Sequence, residues 1–283
     1  WQLFEEPAEG PKAAVVAYDP PAEPADPEAV LAAELSGLEE PAPKAIGLRD
    51  PAAAVRAKHK LLTQGLLLIP DSTNDRVMAF DPVTGDLVDA NFIPTNSVMG
   101  TAINAILSAG GDSILVSDQI NDVVHEFDLD GNYLGVFAPA GGPNNNILNN
   151  IRGISLDATG NLLVTTADAT NVDAVAMFDT SGNYLGNFIA SGAGGLNSPF
   201  DVYGRSADWL VASIDTDNVL SFDLTGAPIG VFAPVSNFPE QIGEAGNGNV
   251  LVANFGGTEG VYELTAVGAP VGEIRVGVCE RPA

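Results

Sequence analysis

Two segments of the chain have almost the same sequence: FDLDGNYLGVFA at residues 127–138 and FDTSGNYLGNFI at residues 178–189. Their separation of about fifty residues lies in the range of structural repeat units. Each segment is typical of a strand end, a Gly-Asn turn that tolerates positive φ, and the start of the next strand. A chain that repeats a hairpin at this interval exposes the same apolar face several times, and stacking of neighbouring units buries it.

The repeat occurs five times. Its leading runs are LLLIPD, SILVSD, LLVTTAD, WLVASID and VLVANF, which begin near Leu67, Leu115, Leu163, Leu210 and Leu251. A polar loop, a second strand such as VVHEFD, a turn and a third strand such as YLGVFA follow each run, and a further strand such as NIRGISL links the units. The LLV part of the leading runs is apolar throughout, as in a strand covered on both faces, whereas VVHEF alternates. The pattern predicts an all-β fold, a β-propeller of four-stranded antiparallel blades.

The number of blades stays open at this point. Five repeats are visible, but the first has no obvious innermost strand ahead of Leu66. The segments RAKHKLL, before the first unit, and IRVGVCE, at the end of the chain, are the candidates for closing the ring. The sequence is therefore compatible with five blades, or with six if the N-terminal region builds one more.

Residues 1–62 differ from the propeller at residues 63–283. This Pro/Ala-rich arm holds nine of the 20 prolines, which favour extended backbone. PEAVLAAELSGL has helical apolar spacing, and DPAAAVRAKHKLL begins with Asp50 as a candidate N-cap. An arm with apolar helix faces and no core of its own has to lie on a partner or on its own domain. The residues expected to dock are Trp1, Leu3, Phe4, Leu31, Leu35 and Leu38.

The charge distribution excludes some classes of partner. The net charge is −26, and no lysine occurs after residue 60, so we expect no nucleic-acid binding. No apolar run approaches the roughly 20 residues of a membrane span. The single cysteine, Cys279, cannot form an internal disulfide. We expect an exported protein, extracellular or periplasmic, whose signal peptide has been removed or lies outside the printed sequence.

Three segments resemble the NHL repeat: IPDSTNDRVMAFD at residues 69–81, VSDQINDVVHEFD at 116–128 and SIDTDNVLSFD at 213–223. The linking segments NIRGISLDATGN and LNSPFDVYGRSAD are similar to another part of the same repeat. The resemblance covers about residues 66 to 276 and implies a propeller, commonly of six blades. It says little about activity, because this fold is shared by scaffolds, sensors, lyases and lactonases.

Histidine is too scarce for several kinds of chemistry. His59 and His125 are the only two, which excludes a three-histidine metal site and disfavours the NHL-like amidating lyases. The chain has no nucleophile elbow, Cys-x-x-Cys pair or phosphate loop. The segment DLDGN resembles the start of an EF-hand, but Pro139 stands where the bidentate glutamate is needed, so we interpret it as a hairpin turn. We therefore expect no catalytic residues.

A ring of polar residues around the propeller axis is the one candidate site. Alignment of the repeats places Asn104, Gly153, Asp201 and Gln241 at one level, with Ile103, Arg152, Phe200 and Glu240 just ahead. The predicted pocket residues are Asn104, Arg152, Asp201, Glu240 and Gln241. Asp201 and Glu240, with Asn104, are the weak candidates for a Ca²⁺ site like that of the lactonase propellers this fold resembles, although Arg152 could neutralise the carboxylates instead.

Two functions follow from these features. The first is a non-catalytic binding or structural propeller without a cofactor, a scaffold or accessory subunit. Its arm would dock onto a protein partner or onto another copy of the chain. The alternative is a calcium-dependent lactonase or hydrolase, or a lyase-like enzyme, with a central carboxylate site that acts on a small ester, lactone or sugar acid.

Overall fold

The computed structural model describes residues 65–168, 170–235, 238–256 and 260–275. In these ranges, no helix has the length and apolar content needed to cross a membrane. The predictions made for the arm at residues 1–62 lie outside the described residues, and so does Cys279. These include the two helices, His59 and the six docking residues.

The described residues form five antiparallel sheets arranged as the blades of a propeller, as the repeats predicted. The first blade contains β1 (Leu67–Asp71), β2 (Arg76–Phe80) and β3 (Leu87–Ile93). The second contains β4 (Ala102–Leu107), β5 (Ser113–Asp118), β6 (Val123–Asp128) and β7 (Tyr133–Ala138). The third contains β8 (Ile151–Leu156), β9 (Leu162–Thr166), β10 (Ala174–Phe178) and β11 (Tyr184–Ile189).

The last two blades repeat the same order. The fourth contains β12 (Pro199–Gly204), β13 (Trp209–Ser213), β14 (Asn218–Phe222) and β15 (Pro228–Pro234). The fifth contains β16 (Pro239–Glu244), β17 (Val250–Asn254), β18 (Gly260–Leu264) and β19 (Pro270–Arg275). Short 3₁₀ turns lie at Ala193–Gly195 and Ile214–Thr216. Each strand pairs with the next in sequence, so every blade is a meander.

The first blade has three strands within the described ranges, and β1 corresponds to the second strand of the other blades. It pairs with β2 and packs against β4, just as β5 pairs with β6 and packs against β8. The expectation that the first repeat lacks an innermost strand ahead of Leu66 therefore holds for the described residues.

The leading strands are covered on both faces, which is why their central residues are apolar. All residues of β5, β9 and β13 are buried. Successive side chains point to opposite faces and enter different cores. Ile114 and Val116 pack with the first blade, whereas Leu115 packs with the third. Leu163 lies with Trp209 in the core between the third and fourth blades. Each leading strand thus joins two neighbouring sheets.

The glycine of the repeated turn is needed for contact between blades. Gly182, Gly226 and Gly268 have φ of 75°, 83° and 85°. A Cβ at these positions would overlap a carbonyl oxygen of the preceding blade, that of Phe137, Phe188 and Phe232 in turn. The turn itself is held by an aspartate: Oδ1 of Asp179 accepts the N–H groups of Ser181 and Asn183, both at 2.9 Å. The sequence repeats because each blade meets its neighbour through this turn.

A second repeated contact ties the blades together at the other ends of the strands. In three blades, an aspartate between the second and third strands accepts the N–H of the residue that precedes the first strand of the next blade. The pairs are Asp122 with Asn150 at 2.6 Å, Asp173 with Ser198 at 2.7 Å, and Asp217 with Phe238 at 3.2 Å. All six residues have positive φ.

Candidate functional site

A cavity of about 210 Å³ lies at the end of the propeller where first strands begin and second strands end. We call this end the pocket face. Residues from the first, second, fourth and fifth blades line the cavity: Leu68, Ile69, Pro70, Ser72, Ala102, Ile103, Asn104, Ala105, Phe200, Glu240 and Gln241. Apolar side chains and polar groups share the wall of the cavity, and its polar residues are Ser72, Asn104, Glu240 and Gln241.

Three of the five predicted pocket residues line this cavity: Asn104, Glu240 and Gln241. Asn104 is buried, and its backbone N–H donates to the Ser117 hydroxyl at 3.0 Å. Arg152 and Asp201 are not among the lining residues, although they occupy the equivalent positions of β8 and β12. The alignment of the repeats thus identified the strand positions that face the cavity. At two of these positions, the side chains of Arg152 and Asp201 make other contacts.

Asp201 holds two blades together. Its Oδ1 accepts the Val202 N–H and its Oδ2 accepts the Ile242 N–H from the fifth blade, both at 2.9 Å. The approach of the third blade is equally close, since a Cβ at Gly153 would lie 2.5 Å from Asp201 Oδ1 and 2.6 Å from the Phe200 carbonyl oxygen. Both oxygens of this carboxyl group are used inside the propeller, so its role is structural.

Burial raises the pKa of Asp201 to about 6, although the N–H groups of Ile242 and Val202 favour the charged form. A carboxyl group whose pKa is raised on folding binds its proton more tightly in the folded state. The stability that it contributes is present at pH values below its ordinary pKa and is lost as the pH rises through about 6. Asp201 therefore favours a more stable propeller in mild acid.

Arg152 contacts neutral groups of the fourth blade. Its Nη1 donates to the Ser198 hydroxyl at 3.0 Å and to the Pro199 carbonyl at 3.3 Å, and its guanidinium lies 5.5 Å from the centre of the Phe200 ring. Burial lowers its pKa, while the charges of three acids, Asp168, Asp215 and Glu240, oppose this shift. Burial also raises the pKa of Glu240, and the positive charge of Arg152 works against that. The acids around this guanidinium make the pocket face acidic.

These residues do not fit a Ca²⁺ site. Calcium needs six to eight oxygen ligands, several of them carboxylate oxygens. Both oxygens of Asp201 accept backbone hydrogen bonds, and the Arg152 guanidinium interacts electrostatically with Glu240. Among the described residues, no group of three Asp, Glu, His or Cys side chains is placed to hold a metal ion.

Sequence reasoning missed a buried pair in the second blade. His125 Nε2 lies 3.0 Å from Asp118 Oδ2, and both side chains are buried. Asp118 also accepts the N–H groups of Gly100 at 2.7 Å and Thr101 at 2.9 Å, and the Asn121 amide at 2.7 Å. Burial alone would raise the pKa of Asp118, but the bonds from His125 and the other donors outweigh it and lower the pKa well below its ordinary range.

The role of Asp118 could have been found from the repeats. Its counterparts at the ends of β9 and β13 are Thr166 and Ser213. Their hydroxyls accept the N–H groups of Asn149 at 3.1 Å and Asn197 at 3.0 Å, which lie just before the first strand of the same blade. In each of three blades, a polar residue at the end of the second strand therefore accepts a hydrogen bond from the backbone just before the first strand. This contact is structural, and the further bond from His125 occurs in the second blade.

Several apolar side chains on the pocket face are open to solvent. Ile120, which follows β5, is 70% exposed, and Phe255, which follows β17, is 66% exposed. Phe238, immediately before β16, is 49% exposed, and its carbonyl accepts the Phe255 N–H at 3.1 Å. A second exposed set lies on the outermost strands at equivalent positions: Leu134, Leu185, Ile229 and Val271.

Comparison with solved structures places the chain among the β-propellers. The propeller in a nidogen/laminin complex has a TM-score of 0.60 at 16% identity, over 76% of this chain and 77% of that one. A gluconolactonase from Xanthomonas campestris has a TM-score of 0.55 at 18% identity, over 75% and 72% of the two chains. Virginiamycin B lyase from Staphylococcus aureus has a TM-score of 0.52 at 11% identity, over 77% and 68%.

No family model and no curated protein sequence matches the chain. At these identities the structural likeness shows the fold alone. The described residues form a five-bladed β-propeller, and the resemblance to NHL-type propellers is confirmed at the level of the fold. Propellers that bind proteins and propellers that are lactonases or lyases both occur among the similar structures, so the fold does not decide between the two predicted functions.

Proposed function

We propose that this propeller is a non-catalytic protein-binding module that contacts its partner through the pocket face. The observation that carries the proposal is the exposure of Ile120, Phe238 and Phe255 at the end of the propeller where the cavity opens. Exposed apolar side chains grouped on one face are typical of protein–protein contact sites. Asp201 adds support, because its carboxyl group is engaged in holding blades together.

The N-terminal arm is proposed to add a second contact to the same assembly. Its apolar residues Trp1, Leu31, Leu35 and Leu38 lie ahead of the propeller in a Pro-rich sequence. A contact through the arm and a contact through the pocket face would act together, since linked contacts raise the effective concentration of each. The protein would then be a scaffold or an accessory subunit.

The same proposal places the protein outside the cell or in the periplasm. The support for this is the net charge of −26, since a strongly acidic surface makes copies of a protein repel one another, which suits a secreted protein. Fractionation of the source cells tests this point, and recovery of the chain with cytoplasmic markers would contradict it.

Partner capture with matched variants tests the binding function. The full-length chain, its Ile120→Ser/Phe255→Ser variant and the outer-strand control Leu185→Ser are each used as bait. We expect one partner to be retained by the wild type and by the control, and to be lost by the double variant. Equal retention by all three chains would show that the pocket face is not the contact surface.

A lactonase or lyase reaction in the cavity is the second candidate. The observation that favours it is the group of Asn104, Glu240 and Gln241 on the cavity wall, with a raised pKa at Glu240 that suits proton donation. The similar fold of a gluconolactonase supports it only by analogy.

Turnover of a sugar lactone in the presence of calcium, measured for the wild type and for Glu240→Gln, distinguishes the two functions. The binding function predicts that both proteins leave the lactone at its uncatalysed rate. Turnover by the wild type that Glu240→Gln abolishes would establish the enzyme instead.

A further inference from the structure

Phe238 has an unusual backbone conformation for an aromatic residue. Its φ is 60°, in the left-handed region that bulky side chains rarely adopt. The equivalent residues ahead of β8 and β12 are Asn150 and Ser198, with φ of 51° and 52°. Asparagine is several-fold enriched in this region because its short polar side chain can bond locally, whereas phenylalanine has no such compensation. The fifth blade therefore holds a bulky residue where its neighbours have small polar ones.

The surrounding contacts fix Phe238 in this conformation. Asp217 Oδ1 accepts its N–H at 3.2 Å, and its carbonyl accepts the Phe255 N–H at 3.1 Å. Pro239 follows it directly and begins β16. The residue is half exposed, so only part of its phenyl group is buried against the propeller. A strained residue whose side chain is half exposed is a candidate for function. Phe238 lies two residues before Glu240, which lines the cavity.

Two other phenylalanines show what such a ring binds in this protein. The Arg152 guanidinium lies 5.5 Å from the Phe200 ring centre, and that of Arg205 lies 4.7 Å from the Phe232 ring centre. In the part of the chain that the structure describes, no cation lies over the ring of Phe238. An arginine or lysine from another molecule could occupy that position, with an acidic face beside it.

We infer that Phe238, Phe255 and Glu240 form a contact site for a basic segment of a protein partner. An arginine or lysine side chain of the partner packs against the Phe238 ring with its charge directed toward Glu240. Apolar residues next to that basic residue in the partner contact Phe255. The inference rests on the proposed function, because it names the chemistry of the partner at the pocket face. The net charge of −26 favours a basic partner and disfavours a second copy of this chain.

A binding measurement on the full-length chain tests the inference. The probes are a short fluorescent peptide of alternating arginine and leucine and the same peptide with glutamate in place of arginine. We expect the arginine peptide to bind the wild type and the glutamate peptide not to bind. Phe238→Asn should weaken binding of the arginine peptide by about tenfold or more, as expected for an aromatic contact residue. Leu185→Asn, on an outer strand, should leave binding unchanged.

Stability separates a binding role from a packing role. Asparagine occupies the equivalent position 150 at a similar φ. Phe238→Asn should therefore unfold at the same denaturant concentration as the wild type, or at a higher one. Weaker peptide binding together with unchanged or higher stability supports the inference. A clear loss of stability would assign Phe238 to packing and overturn it.

Other outcomes would also overturn the inference. Equal binding of both peptides, or equal binding of the arginine peptide by the wild type and by Phe238→Asn, would leave only general attraction to an acidic protein. Binding that appears only after Arg56, Lys58 and Lys60 are changed to glutamine would identify this chain's own basic segment as the occupant. If the partner-capture variants behave as expected while neither peptide binds, the binding function stands and the basic partner does not.

Discussion

Replacement of Gly182 by alanine tests how the blades are held together. Gly182 lies in the turn between β10 and β11 with φ of 75°, where an L-residue costs about 1 kcal/mol. An alanine Cβ would also overlap the Phe137 carbonyl oxygen of the second blade. Relief of that overlap requires the two blades to move apart, which we expect to cost about 1–3 kcal/mol, as overpacking does.

The same movement strains a hydrogen bond between the blades. The Ala140 N–H donates to the Gly182 carbonyl at 2.7 Å, and loss of such a bond costs about 1 kcal/mol. Together the three effects predict that Gly182→Ala lowers the free energy of unfolding by about 3–5 kcal/mol. Urea denaturation followed through the fluorescence of buried Trp209, between the third and fourth blades, measures this loss.

Gly192→Ala is the matched control. Gly192 has a similar φ of 64°, but a Cβ there would meet no atom within 4 Å. We expect it to lose only the backbone contribution of about 1 kcal/mol. Equal losses for Gly182→Ala and Gly192→Ala would refute the reasoning, because the repeated glycine would then be needed only for its φ and not for contact between blades.

Three further substitutions test individual contacts. The unfolding free energy of Asp201→Asn relative to the wild type should rise by about 2 kcal/mol between about pH 4.5 and about pH 7.5, since only the wild type loses stability as the raised pKa is crossed; denaturation at several pH values measures this, and a flat difference contradicts it. Asp118→Asn should show the opposite trend: it should be destabilised by about 2–4 kcal/mol at neutral pH and by less in acid, because the folded-state pKa is lowered. A destabilisation of Asp118→Asn that is the same at every pH would contradict this. Arg205→Lys should cost about 1–2 kcal/mol in urea denaturation, since lysine cannot keep both bonds to Asp208 and the stacking on Phe232. An unchanged midpoint would show that neither contact matters.

Much of the fold was predictable because its determinants are local. The LLV run around Leu163 is apolar, and it lies buried between two sheets. The turn around Gly182 was predicted from its composition, and its φ is positive. The second role of that glycine could not be predicted, because the Phe137 carbonyl comes from another blade and no residue pattern encodes a backbone oxygen.

The site was predicted less completely, because its contacts join residues far apart in sequence. Alignment of the repeats placed Asn104, Glu240 and Gln241 on the cavity wall. It could not show that Asp201 accepts the N–H of Ile242, 41 residues later. The same alignment contained an unused signal. Where two blades have Asn150 and Ser198, the fifth has a phenylalanine, and this departure from the repeat marks the exposed aromatic site.

The sharpest test of the account is the thermal unfolding of the wild type and of Asp201→Asn at increasing calcium concentration. We hold that the carboxyl group of Asp201 joins blades and that the propeller binds a protein. Calcium should then change the unfolding temperature of both chains to the same small extent. A calcium-dependent rise in the wild type that is absent from Asp201→Asn would show that the carboxyl group holds an ion, and would contradict the structural role given to it here.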